Sequence, residues 1–307
     1  MTEKYSHVAV LMGGLSAERA VSLSSGKAVA KALEGEGYRV SLIDVWADLA
    51  EQLTNLAPDV CFNALHGKWG EDGCVQGVLE ILNMPYTHSG VLASSVAMNK
   101  ELTKVILANA GVPVAKSIVV SRKDAVKGHP MKPPYVLKPV ADGSSVGIFM
   151  VLADKDHPGE RLMETGEAND QLMAEQYIPG REFTCAVMAN KALGVTEIEP
   201  GASFDFYDFD SKYEDGGSKH TIPAKISSDI NDLIESYAVT AHKVLGCRGI
   251  SRSDFRFDEQ TNISACLEIN TQPGMTATSL APEQALYNGM TFGELVHWLV
   301  EDASCNR

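Results

Sequence analysis

Near its start the chain runs "HVAVLMGG", then "LSAERAVSLSSGKAVAKALEGEGY", then "RVSLIDV". The first and third stretches are short apolar runs of strand type. The middle one has helical spacing from a candidate N-cap at Ser16 to Gly35 or Gly37. Strand, helix and strand in that order imply two parallel strands joined by a right-handed crossover, with the helix covering the sheet. "DVCFNALHG" and "MPYTHSG" read as later strands and exits of the same layer, which gives a first domain over residues 1–95.

"MNKELTKVILANAGVPV" predicts a helix with Leu102, Val105 and Ile106 on one side, Gly111 as its terminal cap and Pro113 beyond. The short β-rich runs "AKSIVV", "YVLKPV", "GIFMV" and "QLMAEQYI" follow, as expected of a smaller mixed sheet over residues 96–180. Residues 181–307 bring "EFTCAVMANKALGVTEI", a helix from Ser228 to Gly246 and a strand pair around 251–270. A final helix starts at Thr291, whose spacing to Glu294 is a capping box. The fold class is therefore α/β, with an N-terminal parallel sheet and two mixed α+β parts behind it.

Between these elements, residues 200–222 keep neither a helical nor a strand period, yet hold Phe204, Phe206, Tyr207, Phe209 and Tyr213. Long irregular segments of this kind are functional lids or disordered loops, and so many aromatics favour the lid.

A net charge of −14 over 307 residues argues against a nucleic acid partner, because phosphate backbones are bound through clustered Lys and Arg. No apolar run reaches the roughly 18 to 20 residues that span a bilayer, so no membrane association is expected, and the N-terminus has no signal-peptide pattern. A cytoplasmic protein is the expectation. The six cysteines are scattered without CxxC pairs, as expected of reduced core residues.

Two strands carry the chemistry. In "SRSDFRF" alternation puts Arg252, Asp254 and Arg256 on one face, and in "ACLEIN" it puts Cys266, Glu268 and Asn270 on one face. "DEQTN" is a plausible turn between them, so antiparallel pairing brings Asp254, Glu268 and Asn270 together. Oxygen donors without Cys or His are the ligand set of a hard cation such as Mg²⁺, which binds through one or two carboxylates and substrate phosphates. Arg252 and Arg256 would add charge for those phosphates. The alternative is the solvated outer face of an edge hairpin. The Pro273–Gly274 break straight after favours the site, since glycine lets a backbone N–H approach a ligand closely.

"YVLKPVADGSSVGIFMV" places Lys138 at the end of an apolar run, before Asp142, Gly143, Ser144, Ser145 and Gly147. It lacks the Gly-Lys-Ser/Thr of a Walker loop and leads into a strand, so it reads as a hairpin whose N–H groups fold over phosphates, or as a plain Asp-Gly turn. In "QLMAEQYIPGREF", Glu175 and Glu182 flank a strand and Pro-Gly turn suited to an adenine and ribose, or to a linker. Glu18 lies in the first turn of the first helix, where it either serves the helix dipole or binds a ligand ammonium group.

Taken in order, "GGLSAERAVSLSSG", "LHGKWGEDGCVQGVLE", "MNKELTK", "VLKPVADGSSVG", "EQYIPGREFT", "FYDFDSKY", "SRSDFRF" and "LEINTQPGMT" closely resemble the D-alanine:D-alanine ligases of the ATP-grasp superfamily. The resemblance covers nearly the whole chain. It implies a three-domain ATP-grasp fold and ATP-dependent joining of two D-alanines through an acyl phosphate, for peptidoglycan precursors. It also implies a homodimer and two Mg²⁺ ions, with Mn²⁺ able to substitute.

Carried residue by residue, the resemblance implies that Lys100 and Lys138 hold the phosphates under the loop of Gly143, Ser144 and Ser145. Glu175 with the backbone of Tyr177 and Ile178 reads adenine, and Glu182 holds the ribose. Asp254, Glu268 and Asn270 bind metal. Glu18 takes the first D-alanine's ammonium, with His66 near its carboxylate. Arg252 and the N–H of Gly274 stabilise the oxyanion. Ser279 and Leu280 receive the second D-alanine's carboxylate, helped by Lys212, while Ser145 and Tyr213 join Glu18 in closing the lid.

Relatives that make D-alanyl-D-lactate replace the lid tyrosine, so Tyr213 favours the dipeptide. Gln272, where some members have Ser, and His220, without an assigned role, depart from the pattern. They leave a D-alanine:D-serine ligase, or another ATP-grasp carboxylate–amine ligase, as the alternative.

Overall fold

The structure, a computed structural model, describes residues 4–141, 147–201, 217–276 and 278–306. Its first sheet is parallel, in the order β2 (Arg39–Asp44), β1 (His7–Met12), β3 (Val60–Asn63). All six β1 residues are buried, as a continuous apolar run in a covered parallel strand requires. The crossover helix α1 (Arg19–Gly35) begins two residues later than expected: Glu18, not Ser16, is the N-cap residue, and the Ser16 hydroxyl accepts the Glu18 N–H at 3.1 Å.

The helices α2 (Leu49–Leu56), α3 (Cys74–Ile81) and α4 (Val91–Met98) complete this part. "MPYTHSG" is not a strand. Tyr86 makes only single bridges, to Cys61 and Ser304, because the chain turns at His88 (φ +67°) instead of extending along β3.

The helix α5 (Lys100–Asn109) is capped by the Asn99 side chain, which accepts from the N–H groups of Glu101 and Leu102. Its orientation inverts the expected one. Leu102 and Val105 are half exposed, while Lys100, Thr103, Lys104 and Leu107 are buried. Buried lysines persist only where carboxylates meet them, and both have such partners, described below.

β4 (Ser117–Ser121), β5 (Tyr135–Pro139), β6 (Phe149–Val151) and β7 (Gln171–Gln176) form a sheet in the order β4–β7–β5–β6, with the short helix α6 (Arg122–Ala125) directly after β4. Every pair in it is antiparallel, so it is not the mixed sheet expected.

β8 (Arg181–Met188) and β9 (Lys191–Pro200) form a hairpin turning at Ala189 and Asn190, both at positive φ (49° and 63°), which matches the twist of a tight two-residue turn. With β10 (Ser218–Thr221), β11 (Ile250–Asp258) and β12 (Ile263–Asn270) they build an antiparallel sheet ordered β10–β9–β8–β11–β12. β10 corrects the expectation for 200–222, since the end of that stretch is a strand paired along β9. The other residues of that expected lid, 202–216, lie outside the described residues.

The helix α7 (Ser228–Val244) starts at Ser227, whose hydroxyl accepts the Ile230 N–H. It packs Ile234, Ala238 and Ala241 on Phe183, Val187 and Phe255. After α8 (Leu280–Tyr287), the last helix α9 (Phe292–Asp302) begins with the expected Thr291–Glu294 capping box. Leu295, Val296 and Leu299 share a core with Val10, Leu33 and Phe62, so the end of the chain closes onto the first sheet. All six cysteines are free thiols, and Cys61, Cys185, Cys247 and Cys266 are buried. Among the described residues no helix is long and apolar enough to cross a membrane.

Candidate active site

β11 and β12 pair with Arg252 opposite Asn270 and Asp254 opposite Glu268. The expected three donors therefore lie side by side. Past Asp254 the register shifts: Phe255 faces Cys266, and Leu267 is the extra residue of a bulge. That one-residue slip sends Cys266 to the other face, into the core with Phe255 and Ile269, which corrects its expected place beside Glu268.

Asp254 is 5% exposed, so this is not a solvated hairpin face. Its Oδ1 accepts from Arg252 Nε (2.9 Å) and Thr184 Oγ1 (2.6 Å), and its Oδ2 from Arg252 Nη2 (2.7 Å) and Asn270 Nδ2 (3.1 Å). Glu268 Oε2 stands 3.8 Å from Lys100 Nζ.

No group of three or more His, Cys, Asp or Glu that could hold a metal is found among the described residues, so a cation here would need the amide oxygen of Asn270 as its third donor. Two adjacent carboxylates and an amide, all oxygen donors and presently balanced by Arg252 and Lys100, fit a hard divalent ion.

Lys138, on β5, donates to Glu175 Oε1 at 2.7 Å, and Lys104, on α5, donates to Glu175 Oε2. All three are buried. Burial pushes the Glu175 carboxyl up, but Lys138 and Lys104 outweigh it and hold it below its ordinary value. Burial lowers Lys104, against the pull of Glu175. Sequence reading missed Lys104. Its signal was the i, i+4 spacing from Lys100 in "NKELTK", which puts both ammonium groups on one helix face.

Arg256 differs from its expected role as a phosphate cation. Because it sits opposite Glu182, its guanidinium donates to Glu182 Oε2 (3.3 Å), the Ile178 carbonyl (3.1 Å) and the Tyr177 hydroxyl (3.2 Å). It thus fixes the "YIPGRE" turn where the sequence placed the adenine and ribose contacts.

At the first sheet, Glu18 is buried at the start of α1, and its side chain does not cap the helix. Gly67 (φ +68°) packs so tightly on it that a Cβ would come within 2.4 Å of Glu18 Oε2 and of Ser16 Oγ. His66 is held between Ser25 Oγ and Glu71 Oε1, each at 3.2 Å. Gln272, buried just after β12, donates to the Leu65 carbonyl and so ties this turn to the segment carrying Gly274.

The Ser279 hydroxyl lies 2.8 Å from Thr276 Oγ1 and accepts the Thr276 N–H at 3.1 Å, closing a turn before α8. A Cβ on Gly274 would lie 3.1 Å from that hydroxyl, so glycine keeps this approach open. Leu280 is buried as the first residue of α8. His220, unassigned from sequence, joins β10 to α8 through Glu283 (2.8 Å). Gly143, Ser144, Ser145, Lys212 and Tyr213 lie outside the described residues.

The parallel-sheet unit, the two antiparallel sheets, the Lys100–Glu268 contact and the buried lysines on Glu175 are shared with ligases of the ATP-grasp class, as the similarities that follow bear out. The family models described as "D-ala D-ala ligase N-terminus" and "D-ala D-ala ligase C-terminus" match residues 47–89 and 106–301. The chain belongs to the D-alanine–D-alanine ligase family.

A D-alanine–D-alanine ligase of Parvibaculum lavamentivorans is 57% identical over 98% of each chain, and one of Methylobacterium radiotolerans 55% identical over 98% of this chain and 99% of its own. Among solved structures, the ATP complex of the Bacillus anthracis D-alanine–D-alanine ligase aligns with TM-score 0.81 at 29% identity, covering 98% of this chain and 97% of its own. The VanG D-Ala:D-Ser ligase of Enterococcus faecalis aligns with TM-score 0.79 at 28% identity, over 97% and 99%.

Proposed function

We propose that this chain joins two D-alanines into D-alanyl-D-alanine at the expense of ATP, releasing ADP and phosphate, for peptidoglycan precursor synthesis. The observation that carries the reading is the meeting of α5 and β12 at Lys100 and Glu268, which sets a phosphate-type cation beside a metal-type carboxylate. The names of the relatives at 55 to 57% identity agree with the dipeptide.

In this reading Lys100 and Lys138 bind the ATP phosphates, with Gly143, Ser144 and Ser145 covering them. Glu175 and the backbone of Tyr177 and Ile178 adjoin the adenine, and Glu182 holds the ribose. Asp254, Glu268 and Asn270 would hold two Mg²⁺ ions, with Mn²⁺ as a substitute, and the metal charge would neutralise the phosphate oxygens during transfer.

Glu18 orients the first D-alanine through its ammonium group, and His66 lies at its carboxylate. That carboxylate attacks the γ-phosphate to give an acyl phosphate and ADP. The second D-alanine, seated by Ser279, the backbone of Leu280 and Lys212, attacks the acyl carbon with its amine. Arg252 and the Gly274 N–H stabilise the resulting oxyanion, each donor being worth about 3 kcal/mol. Phosphate then leaves with one oxygen of the first D-alanine. Ser145 and Tyr213 complete a closed site with Glu18, which keeps water from the acyl phosphate.

The same reading divides the chain at 1–95, 96–180 and 181–307, and makes the enzyme a cytoplasmic homodimer. A phosphate-release assay with ATP, Mg²⁺ and a panel of D- and L-amino acids, with the product identified by mass, tests it. D-Alanine should be turned over to dipeptide; turnover of another acid in its place overturns the substrate assignment.

A further inference from the structure

Lys104 has no part in the chemistry above, yet it is one of the least exposed cations of the chain, at 6%, and is paired with a carboxylate 3% exposed. Glu175 uses its two oxygens separately: Oε2 takes Lys104 from α5 and Oε1 takes Lys138 from β5. Neither lysine displaces the other, so the triad is a buried array of two cations and one anion. Its net charge is one positive.

We infer that Lys104 is a positioning residue for the nucleotide: by cancelling Glu175, it leaves the Lys138 ammonium as uncompensated positive charge for the ATP phosphates. This rests on the phosphate role of Lys138 proposed above. With Lys104 removed, Glu175 and Lys138 form a neutral buried pair. The carboxylate then draws the ammonium wholly to itself, because in a water-poor site an unbalanced charge is costly and the nearest counter-charge dominates. Glu175, ionised despite its burial, is the group that Lys104 must offset. The i, i+4 placement of Lys100 and Lys104 lets one helix deliver one lysine to the metal side and one to this triad.

The test is steady-state kinetics of the full-length enzyme, with KM for ATP and for D-alanine measured separately, on Lys104→Met, Lys104→Gln, Lys104→Arg, Lys138→Met and the double variant Lys104→Met/Glu175→Gln. Lys104→Met should raise the KM for ATP by about tenfold or more while that for D-alanine moves little. Lys104→Gln, which keeps a hydrogen-bond donor but no charge, should show the same rise if Lys104→Met does not fold. Lys104→Arg should stay near the parent.

Because Glu175 also adjoins the adenine, Glu175→Gln alone is measured too, and in that background adding Lys104→Met should raise the KM for ATP far less than it does in the parent, an outcome that a merely structural salt bridge does not give. Equal rises in both KM values, or a rise from Lys104→Met as large in the Glu175→Gln background as in the parent, overturn the inference. Lys138→Met separates the two failures. An unchanged KM for ATP there removes the phosphate role of Lys138 and the inference with it, whereas a raised KM there, with Lys104→Met acting equally in the parent and in the Glu175→Gln background, removes the inference alone.

Discussion

Lys100 at the start of α5 and Glu268 on β12 face each other at 3.8 Å. The helix that carries Lys100 leaves Leu102 and Val105 half exposed while it points its lysines inward beside the core residue Leu107, so the site together with the core decides how α5 is turned. Neutralising Glu268 therefore acts on chemistry more than on folding. Glu268→Gln should lower kcat by on the order of a thousandfold, the loss of several kcal/mol of charge stabilisation, with an almost unchanged Tm. A near-normal rate in a Mg²⁺-saturated assay would refute the metal role.

Gly67 presses on the Glu18 carboxylate and has φ +68°, where an added Cβ meets both strain and a 2.4 Å contact. Gly67→Ala should cost about 1 to 3 kcal/mol of stability. It should also raise the KM for D-alanine and leave that for ATP near the parent, since Glu18 must move. Kinetics with each substrate varied in turn checks this; a selective effect on ATP would contradict the placement of the first amino acid at Glu18.

Burial, and Lys243 beside it, lower His242 from 6.5 to about 4, and its Nδ1 lies 2.7 Å from Ser251 Oγ. A histidine kept neutral in the fold but protonated in the unfolded chain gives stability that is complete above pH 6.5 and is lost as pH falls towards 4. The loss amounts to about 3 kcal/mol across that window. Urea unfolding of the parent and of His242→Gln between pH 7 and pH 4 should show a shallower decline in the variant; parallel curves would contradict the assignment.

Tyr213→Phe removes the hydroxyl assigned to lid closure. The ratio of phosphate released to dipeptide formed should rise above one in this variant, because water reaches the acyl phosphate. An unchanged ratio would count against the closing role.

The parallel β1–α1–β2 unit, the β11–β12 pair and the capping box at Thr291 were legible because each rests on local periodicity and cap chemistry. Register in β11–β12 put Asp254 beside Glu268, but the bulge at Leu267 was invisible, since inserting one residue leaves the alternation on either side intact. Lys104 was hidden by the assumption that a helix buries its apolar side, which fails when carboxylates on other strands receive its lysines. Likewise β10 has no strand pattern of its own, its four residues being held by pairing with β9. The contacts of Arg256 depend on what lies opposite in β8, a long-range fact that no single strand records.

The central claim is that a D-alanine carboxylate is activated by phosphoryl transfer before the amine attacks. Incubation with ATP, Mg²⁺ and D-alanine labelled with ¹⁸O in its carboxylate tests it directly, with dipeptide and phosphate analysed by mass spectrometry. The account predicts D-alanyl-D-alanine with one ¹⁸O atom transferred to inorganic phosphate for each peptide bond formed. Dipeptide formed with unlabelled phosphate, or no dipeptide at all, would contradict it.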